Sequence, residues 1–309
     1  MDWIKAGWGP KLNSEFNHLL SYYIDISKMA LPSSDPISTA VNTVNQISKT
    51  HPGPYYLMVS GGVDSQCMMW AWLQSGVPFT AVACKYVSHD SNTIMNAHDL
   101  VELELFTSKF NIPVSYKNFD VFSFLENELQ HYAVTYQCTS PQICSHMKMS
   151  ELLEDGTVIF SGNFGNEIVL YNYTIFGLHR YAERSGRSII PFFLMHDKNI
   201  AGCLTHKISA DRPEIIAEFI GNESSTLRYL AYRNKIEILK YNGFPIFPQK
   251  TKYTGFEKIK EHYETQKELV IPRERLKYSN NASNRIFDIV FRYRLSDIVK
   301  YKDAIQWIE

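Results

Sequence analysis

The segment with the clearest capacity for chemistry is the hexapeptide Ser60-Gly61-Gly62-Val63-Asp64-Ser65. Two glycines let a backbone turn tightly and approach a ligand closely. When a helix follows, the N–H groups of such a turn point at an anion, and two serine hydroxyls add donors. Asp64 would repel a bare phosphate, so it indicates either a bridging Mg²⁺ or a helix-capping role. The segment predicts a phosphate-binding turn; the plain alternative is an ordinary strand–helix turn capped by Asp64 or Ser65.

Basic side chains elsewhere are candidates for stabilising a charged phosphoryl transition state. Lys250 and Lys252 lie after a Pro-containing loop and are the first choice, against a solvated surface role. Lys85 follows the second predicted strand and could also reach a phosphate. His89, in the next loop, is a candidate base, whereas His146 lies on an apolar-periodic helix and is predicted to pack.

Alternating strand and helix patterns must position these residues. Short apolar runs predict buried strands at 55–59, 79–86, 114–119 and 157–160. Helical patterns between them cover residues 67–73, 96–110, 121–132 and 141–153, the last with Ser140 as its cap. Such alternation predicts an α/β fold with a doubly wound parallel sheet, and the 60–65 turn then lies between its first strand and the following helix.

The regions on either side of this alternation differ from it. Residues 1–36 are predicted as an N-terminal extension, with a helix over 14–29 and a Pro- and Ser-rich linker before residue 37. The α/β domain is predicted over 37–170. Residues 171–309 are predicted as a mostly helical region that completes the cleft, with helices over 226–240, 255–266 and 283–300, although 186–222 show no clear period.

Composition narrows the class of protein. The formal net charge is −1, which gives no overall footprint for nucleic acid, although a basic cluster at 273–277 leaves that partner open. The sequence has five cysteines and no CxxC motif, which favours reduced thiols and a cytoplasmic protein. Cys138 and Cys144 are the only two cysteines that lie close together in the sequence. No signal peptide or membrane-spanning run is evident, so a cytoplasmic protein acting on a small molecule is expected.

The hexapeptide SGGVDS resembles the pyrophosphate loop (PP-loop, SGGxDS) of the N-type ATP pyrophosphatases. The resemblance implies an adenine nucleotide alpha-hydrolase-like sheet and cleavage of ATP between the alpha and beta phosphates. It assigns the pyrophosphate end of ATP to Ser60, Gly61, Gly62, Asp64 and Ser65. It further implies that Asp64 binds Mg²⁺ and that the backbone around Ala83 and Cys84, at the end of the second strand, faces the adenine.

A second segment, residues 139–168, resembles the helix–strand–loop of asparagine synthase-type synthetase domains, which carry SGEGxDE after a strand. Ser161, Gly162 and Glu167 match that motif. The resemblance implies nucleotide contacts for Ser161 and Gly162 and a catalytic role for Glu167. It is weaker around residues 243–248, where the family has a Pro-Phe-Leu-Asp type loop.

Two positions depart from this family. Asn163 replaces an acidic or phenolic group, and Asn166 replaces an aspartate that helps bind Mg²⁺. An amide oxygen can ligate Mg²⁺ without a charge, but an amide is no general base. No N-terminal glutaminase domain fits before Ser60, so free ammonia, an amine substrate or a partner protein would supply the nucleophile.

The sequence thus predicts a Mg-ATP-dependent ligase that adenylates a carboxylate, releases pyrophosphate and forms an amide. One alternative is a PP-loop enzyme that modifies a nucleobase or tRNA, by thiolation or by forming a deazaguanine nitrile. The other is a nucleotide-binding regulatory module without turnover. The acceptor substrate and assembly into a homo-oligomer stay open.

Overall fold

The computed structural model describes residues 4–8, 20–24, 35–89, 93–136, 138, 140–162, 173–197, 199–200, 203–204, 235–249 and 255–265. In the N-terminal region it contains an antiparallel pair, β1 (Ile4–Trp8) and β2 (Leu20–Ile24), in which Gly7 lies opposite Ser21. The helix expected over 14–29 is therefore wrong at 20–24. The sequence of β2, Leu-Ser-Tyr-Tyr-Ile, is rich in residues that favour a pleated surface, and pairing with β1 overrides the helical period.

The main sheet has five parallel strands. In chain order they are β3 (Tyr55–Val59), β4 (Thr80–Val87), β5 (Val114–Asp120), β6 (Thr157–Phe160) and β7 (Ser188–Ile190). The bounds predicted for the first and fourth runs are confirmed, and those of β4 and β5 differ by one residue at one or both ends. β7 lies beyond residue 170, so the sheet takes one more strand than the sequence predicted.

The strand order is β5-β4-β3-β6-β7, with β3 at the centre. The chain moves outward from β3 to β5, returns to β6 on the other side of β3, and then continues to β7. Right-handed crossovers in the two directions place the connecting helices on opposite faces, which makes this a doubly wound α/β fold. The order reverses between β3 and β6, where Met58 lies opposite Phe160.

Helices flank the sheet. They are α1 (Pro36–Thr50), α2 (Val63–Ser75), α3 (Ala97–Lys109), α4 (Val121–Asn127), α5 (Leu129–Thr135), α6 (Pro141–Ser150), α7 (Tyr173–Arg184), α8 (residues 235–241) and α9 (Phe256–Thr265). The helix predicted over 121–132 is divided into α4 and α5. Ser140 accepts a hydrogen bond from the Ile143 N–H at 3.3 Å, which confirms the predicted cap. The helix predicted over 283–300 lies outside the described residues.

The core lies between the central strands and α2. Leu57 on β3 and Cys67, Met68 and Trp72 on α2 are fully or almost fully buried, and the Trp72 ring packs 5.1 Å from that of Tyr55. Burial of such side chains stabilises the fold by roughly 1.5–3 kcal/mol each. Because α2 is buried around much of its circumference, the turn that precedes it is attached to rigid elements on both sides.

The five cysteines are buried, and none of them forms a disulfide. No helix within the described ranges is both long and apolar enough to cross a membrane.

Candidate functional site

The 60–62 turn joins the central strand β3 to α2. It lies at the carboxyl end of β3, beside the point where the strand order reverses, which is where open α/β sheets bind their ligands. Gly62 is the N-cap of α2 and provides no side-chain cap for the first-turn N–H groups. Asp64 lies in that first turn, where a negative charge is favourable next to the helix dipole.

Three serine hydroxyls meet at this end of the sheet. The Ser60 N–H donates to Ser65 Oγ at 3.1 Å, and the two hydroxyl oxygens are 3.3 Å apart. Ser65 Oγ also lies 3.4 Å from Ser161 Oγ. Ser161 directly follows β6, the parallel neighbour of β3, so the strand order brings together two segments that are distant in the sequence. Hydroxyl groups in such a cluster can donate to phosphate oxygens without placing a net charge in the protein.

Gly61 is required by its neighbour rather than by its own backbone angles. A Cβ at this position would overlap the backbone carbonyl oxygen of Asp99, in the first turn of α3. The sequence-based reason, a tight turn and close approach to a ligand, was therefore incomplete. Gly162 has a φ of +88°, a left-handed conformation that glycine adopts without strain.

Asp64 forms an ion pair with Lys235, the first described residue of α8. The side chain of Lys235 is only 3% exposed and that of Asp64 is 14% exposed. Both charges are close to Cys67: burial raises the pKa of the Cys67 thiol well above its usual value, with Asp64 raising it further and Lys235 lowering it. The predicted metal ligand thus faces a buried ammonium group, 171 residues away in the sequence.

Asp99 and Gln249 form a second buried polar pair behind the turn. The Gln249 side-chain amide donates to Asp99 Oδ1, and the Gly61 N–H lies beside the same carboxylate. Burial raises the pKa of Asp99 to about 6, while the hydrogen bonds from Gln249 and Gly61 oppose that rise. No local sequence pattern singles out Asp99, Gln249 or Lys235, because their significance depends on contacts between distant segments.

Ala83 and Cys84 lie within β4, which continues to Val87, and not at its end as predicted. Both are buried, and the Cys84 carbonyl oxygen accepts a hydrogen bond from Asn96 Nδ2 at 2.9 Å. Asn96 also accepts a hydrogen bond from the Tyr86 N–H at 2.9 Å, so its side chain connects the last residues of β4 to the start of α3. A contact of Ala83 or Cys84 with adenine stays a prediction.

Three other candidates lie outside the serine cluster's contacts. The Lys85 ammonium lies 4.6 Å from the centre of the Tyr116 ring. His89 pairs with Asp120 at 3.3 Å and with Glu126 at 3.7 Å. The His146 ring stacks 5.6 Å from Phe160, and burial lowers its pKa to about 4, as expected of a packed histidine.

Several predicted site residues lie outside the described residues: Asn163, Asn166, Glu167, Lys250 and Lys252. The basic cluster at 273–277 also lies outside them. Among the residues that the structure does describe, no group of three or more His, Cys, Asp or Glu side chains could hold a metal ion. The predicted pairing of Asp64 with Asn166 in a magnesium site stays a prediction.

No protein-family model and no curated relative matches the sequence. Among solved structures, the chain is similar to an NH3-dependent NAD synthetase from Campylobacter jejuni, with a TM-score of 0.35 and 15% identity over 70% of this chain and 98% of that chain. It is also similar to an NMN synthetase from Francisella tularensis, with a TM-score of 0.35 and 15% identity over 69% of this chain and 97% of that chain. These values identify neither a family nor a function; the α/β fold follows from the strand order of the chain itself.

Proposed function

We propose that this chain is a PP-loop ATP-dependent synthetase that binds the phosphates of Mg-ATP at the 60–65 turn. The observation that carries the proposal is the convergence of Ser60, Ser65, Ser161 and the Asp64–Lys235 pair at the carboxyl edge where the strand order reverses. These groups combine neutral donors, a cation and a carboxylate at one helix N-terminus. That combination suits a polyphosphate accompanied by a divalent cation better than it suits a neutral ligand.

The proposed role of each residue in binding Mg-ATP follows from its charge. The serine hydroxyls and the first N–H groups of α2 bind pyrophosphate oxygens. Lys235 balances Asp64 in the protein without nucleotide, and its ammonium donates to phosphate oxygens when nucleotide is bound. Mg²⁺ fits the donor set because it is commonly held by one or two carboxylates together with substrate phosphates. Asp64 would hold it, and the ion would neutralise charge on the phosphates.

The proposed reaction follows from the SGGVDS resemblance. A substrate carboxylate oxygen attacks the alpha phosphorus, the bond from that phosphorus to the bridging oxygen breaks, and pyrophosphate leaves. An amine then attacks the acyl carbon of the adenylate, and AMP leaves as the amide forms. Lys235 is the described side chain best placed to stabilise the departing pyrophosphate, because it is buried beside the turn.

The proposal is tested with alpha-labelled ATP, Mg²⁺ and a pool of carboxylic metabolites with ammonia. We expect labelled AMP and unlabelled pyrophosphate; labelled ADP would overturn the proposed reaction class.

Affinity for Mg-ATP is measured by calorimetry in parallel. We expect Lys235→Met to weaken it by about a hundredfold, since a buried charged donor to phosphate is lost. Lys85→Met is the matched control, because Lys85 lies over the Tyr116 ring. Equal affinities for Mg-ATP in the two variants would show that Lys235 does not contribute to nucleotide binding.

A nucleotide-binding module without turnover is the second candidate. The observation that favours it is the Asp64–Lys235 pair, because an ammonium group on this carboxylate competes with a magnesium ion. Binding of ATP without product, at the same affinity with and without Mg²⁺, would favour this alternative. The thiolation alternative gains no support, since Cys138 and Cys144 are both buried and burial raises the pKa of Cys144 well above its usual value.

A further inference from the structure

Both peptide groups of Gly61 are held by side chains from two different helices. The carboxylate of Asp99 on α3 lies beside the Gly61 N–H, and the backbone carbonyl oxygen of Asp99 lies against the Gly61 Cα. The Gly61 carbonyl oxygen accepts a hydrogen bond from Gln66 Nε2 on α2 at 2.9 Å. Gly61 therefore does not direct its own N–H toward a ligand, and its orientation is set from behind the turn.

The side chains of Gln66 and Asp99 also bind a segment that is distant in the sequence, residues 247–249. Gln66 Nε2 donates to the Phe247 carbonyl oxygen at 2.9 Å, and Gln66 Oε1 accepts from the Phe247 N–H at 2.6 Å. Two residues later, the Gln249 amide donates to Asp99. We call this set of contacts, made by Gln66, Asp99, Phe247 and Gln249 around Gly61, the Gly61 clamp.

The clamp is buried and its amide groups are well matched. Gln66 is fully buried, and Asp99 and Gln249 are nearly so. Gln66 uses both its donor and acceptor atoms on peptide groups, so its burial leaves no unsatisfied polar atom in this side chain. Removing one member would leave buried partners without hydrogen bonds, which costs more than the bond itself contributes.

We propose that Gln66, Asp99 and Gln249 are positioning residues that fix the phosphate-binding turn through the docked 247–249 segment. This inference rests on the proposed function. Two consecutive glycines lose much conformational freedom when they are ordered around a ligand, and that loss weakens binding. The clamp orders the first of them before any ligand arrives. Docking of the 247–249 segment and order in the turn are thereby coupled through Gln66 and Asp99.

The first test uses the wild-type protein without nucleotide. Hydrogen exchange followed by mass spectrometry should show slow exchange in a peptide covering 60–62, because the Gly61 N–H lies beside a buried carboxylate and the Ser60 N–H donates to Ser65 Oγ. Rapid exchange there, in a protein whose β3 is protected, would overturn the clamp.

The second test uses two variants and one control. Gln66→Met keeps the length of the side chain but removes three hydrogen bonds, and Gln249→Met removes the single bond to Asp99. Gln46→Met, on the exposed face of α1, is the control. We expect both clamp variants to speed exchange at 60–62. We expect Mg-ATP affinity to fall about tenfold in Gln249→Met and further in Gln66→Met, with no change in the control.

The outcomes separate the clamp from the proposed function. A purely structural role would lower the unfolding temperature while leaving exchange at 60–62 and affinity unchanged below it, and that result would overturn the inference. A wild-type protein that binds no Mg-ATP would overturn the proposed function and the nucleotide part of the inference together. If Gln66→Met fails to fold, the milder Gln249→Met variant and the wild-type exchange measurement still decide the result.

Discussion

The turns that follow β3 and β4 leave neighbouring strands of one sheet, yet their polar residues are stabilised differently. After β3, Asp64 pairs with a lysine that is 3% exposed. After β4, His89 pairs with Asp120, and these two side chains are 57% and 40% exposed. The first pair joins segments 171 residues apart, and the second joins adjacent strands. Charged pairs matter energetically where water is excluded, so the turn after β3 is the one built to hold a defined charge.

Removing the basic side chain of each pair should give the sharpest contrast. We expect Lys235→Met to lower the free energy of unfolding by about 3 to 5 kcal/mol, because it leaves the Asp64 carboxylate largely buried without its cation. The measurement is urea unfolding at neutral pH without nucleotide.

His89→Ala serves as the comparison for that experiment. An exposed pair contributes below about 1 kcal/mol, so the change should fall within that range. Similar losses in the two variants would mean that the two turns do not differ in the way described.

The two glycines of the turn after β3 should differ from each other in how much an alanine substitution lowers the free energy of unfolding. We expect Gly61→Ala to cost about 2 to 3 kcal/mol, because the added methyl group would overlap the Asp99 carbonyl oxygen and force the backbone to move. In Gly62→Ala the new methyl would lie 3.2 Å from Ser60 Oγ, the end of a side chain that can rotate. Gly62 also has an ordinary φ of −67°.

Thermal unfolding of both alanine variants measures this difference. Gly62→Ala should lose less than about 1 kcal/mol, because alanine is a poorer helix N-cap than glycine by no more than that amount. An equally large loss in both variants would show that the Asp99 carbonyl does not limit the turn.

The contrast between the turns also explains what could be predicted from the sequence. Apolar runs identified β3 and β6 with their observed bounds, and the hexapeptide placed Ser60 in a turn before a helix. The helix begins at Val63, four residues before the predicted start, so Ser65 lies in the first turn of α2. Periodicity and turn residues are local signals, and they report on these features directly. Ser161 could be found because it follows a recognisable strand.

The partners of the turn could not be found in the same way. Lys235 and Gln249 act through contacts with residues 171 and 150 positions away, and their own surroundings in the sequence resemble those of surface residues. β7 has three residues, too few for a period, and it joins the sheet only because β6 is already present beside it. These elements depend on tertiary pairing, which single-sequence patterns do not encode.

The smallest and most specific effect that we expect is a change in the free energy of unfolding with pH, caused by the titration of Asp99. Its pKa is raised from 3.8 to about 6, first by burial, while hydrogen bonds from Gln249 and Gly61 and the charge of His98 oppose the rise and Glu102 adds to it. A carboxyl group whose pKa is higher in the folded protein binds protons more tightly there. Its contribution to stability is therefore complete below the unfolded pKa near 3.8 and is lost as the pH rises through about 6.

Asp99→Asn removes this titration while keeping the shape of the side chain. We expect the free energy of unfolding of the wild type, relative to the variant, to fall by about 1 to 2 kcal/mol between pH 4 and pH 7.5. Asp155→Asn, at an exposed position, is the control and should follow the wild type across the range. If Asp99→Asn kept the wild-type pH dependence, the carboxyl group behind Gly61 would not be the titrating one, and the Asp64–Lys235 pair would be the remaining charged contact of the turn after β3 to test.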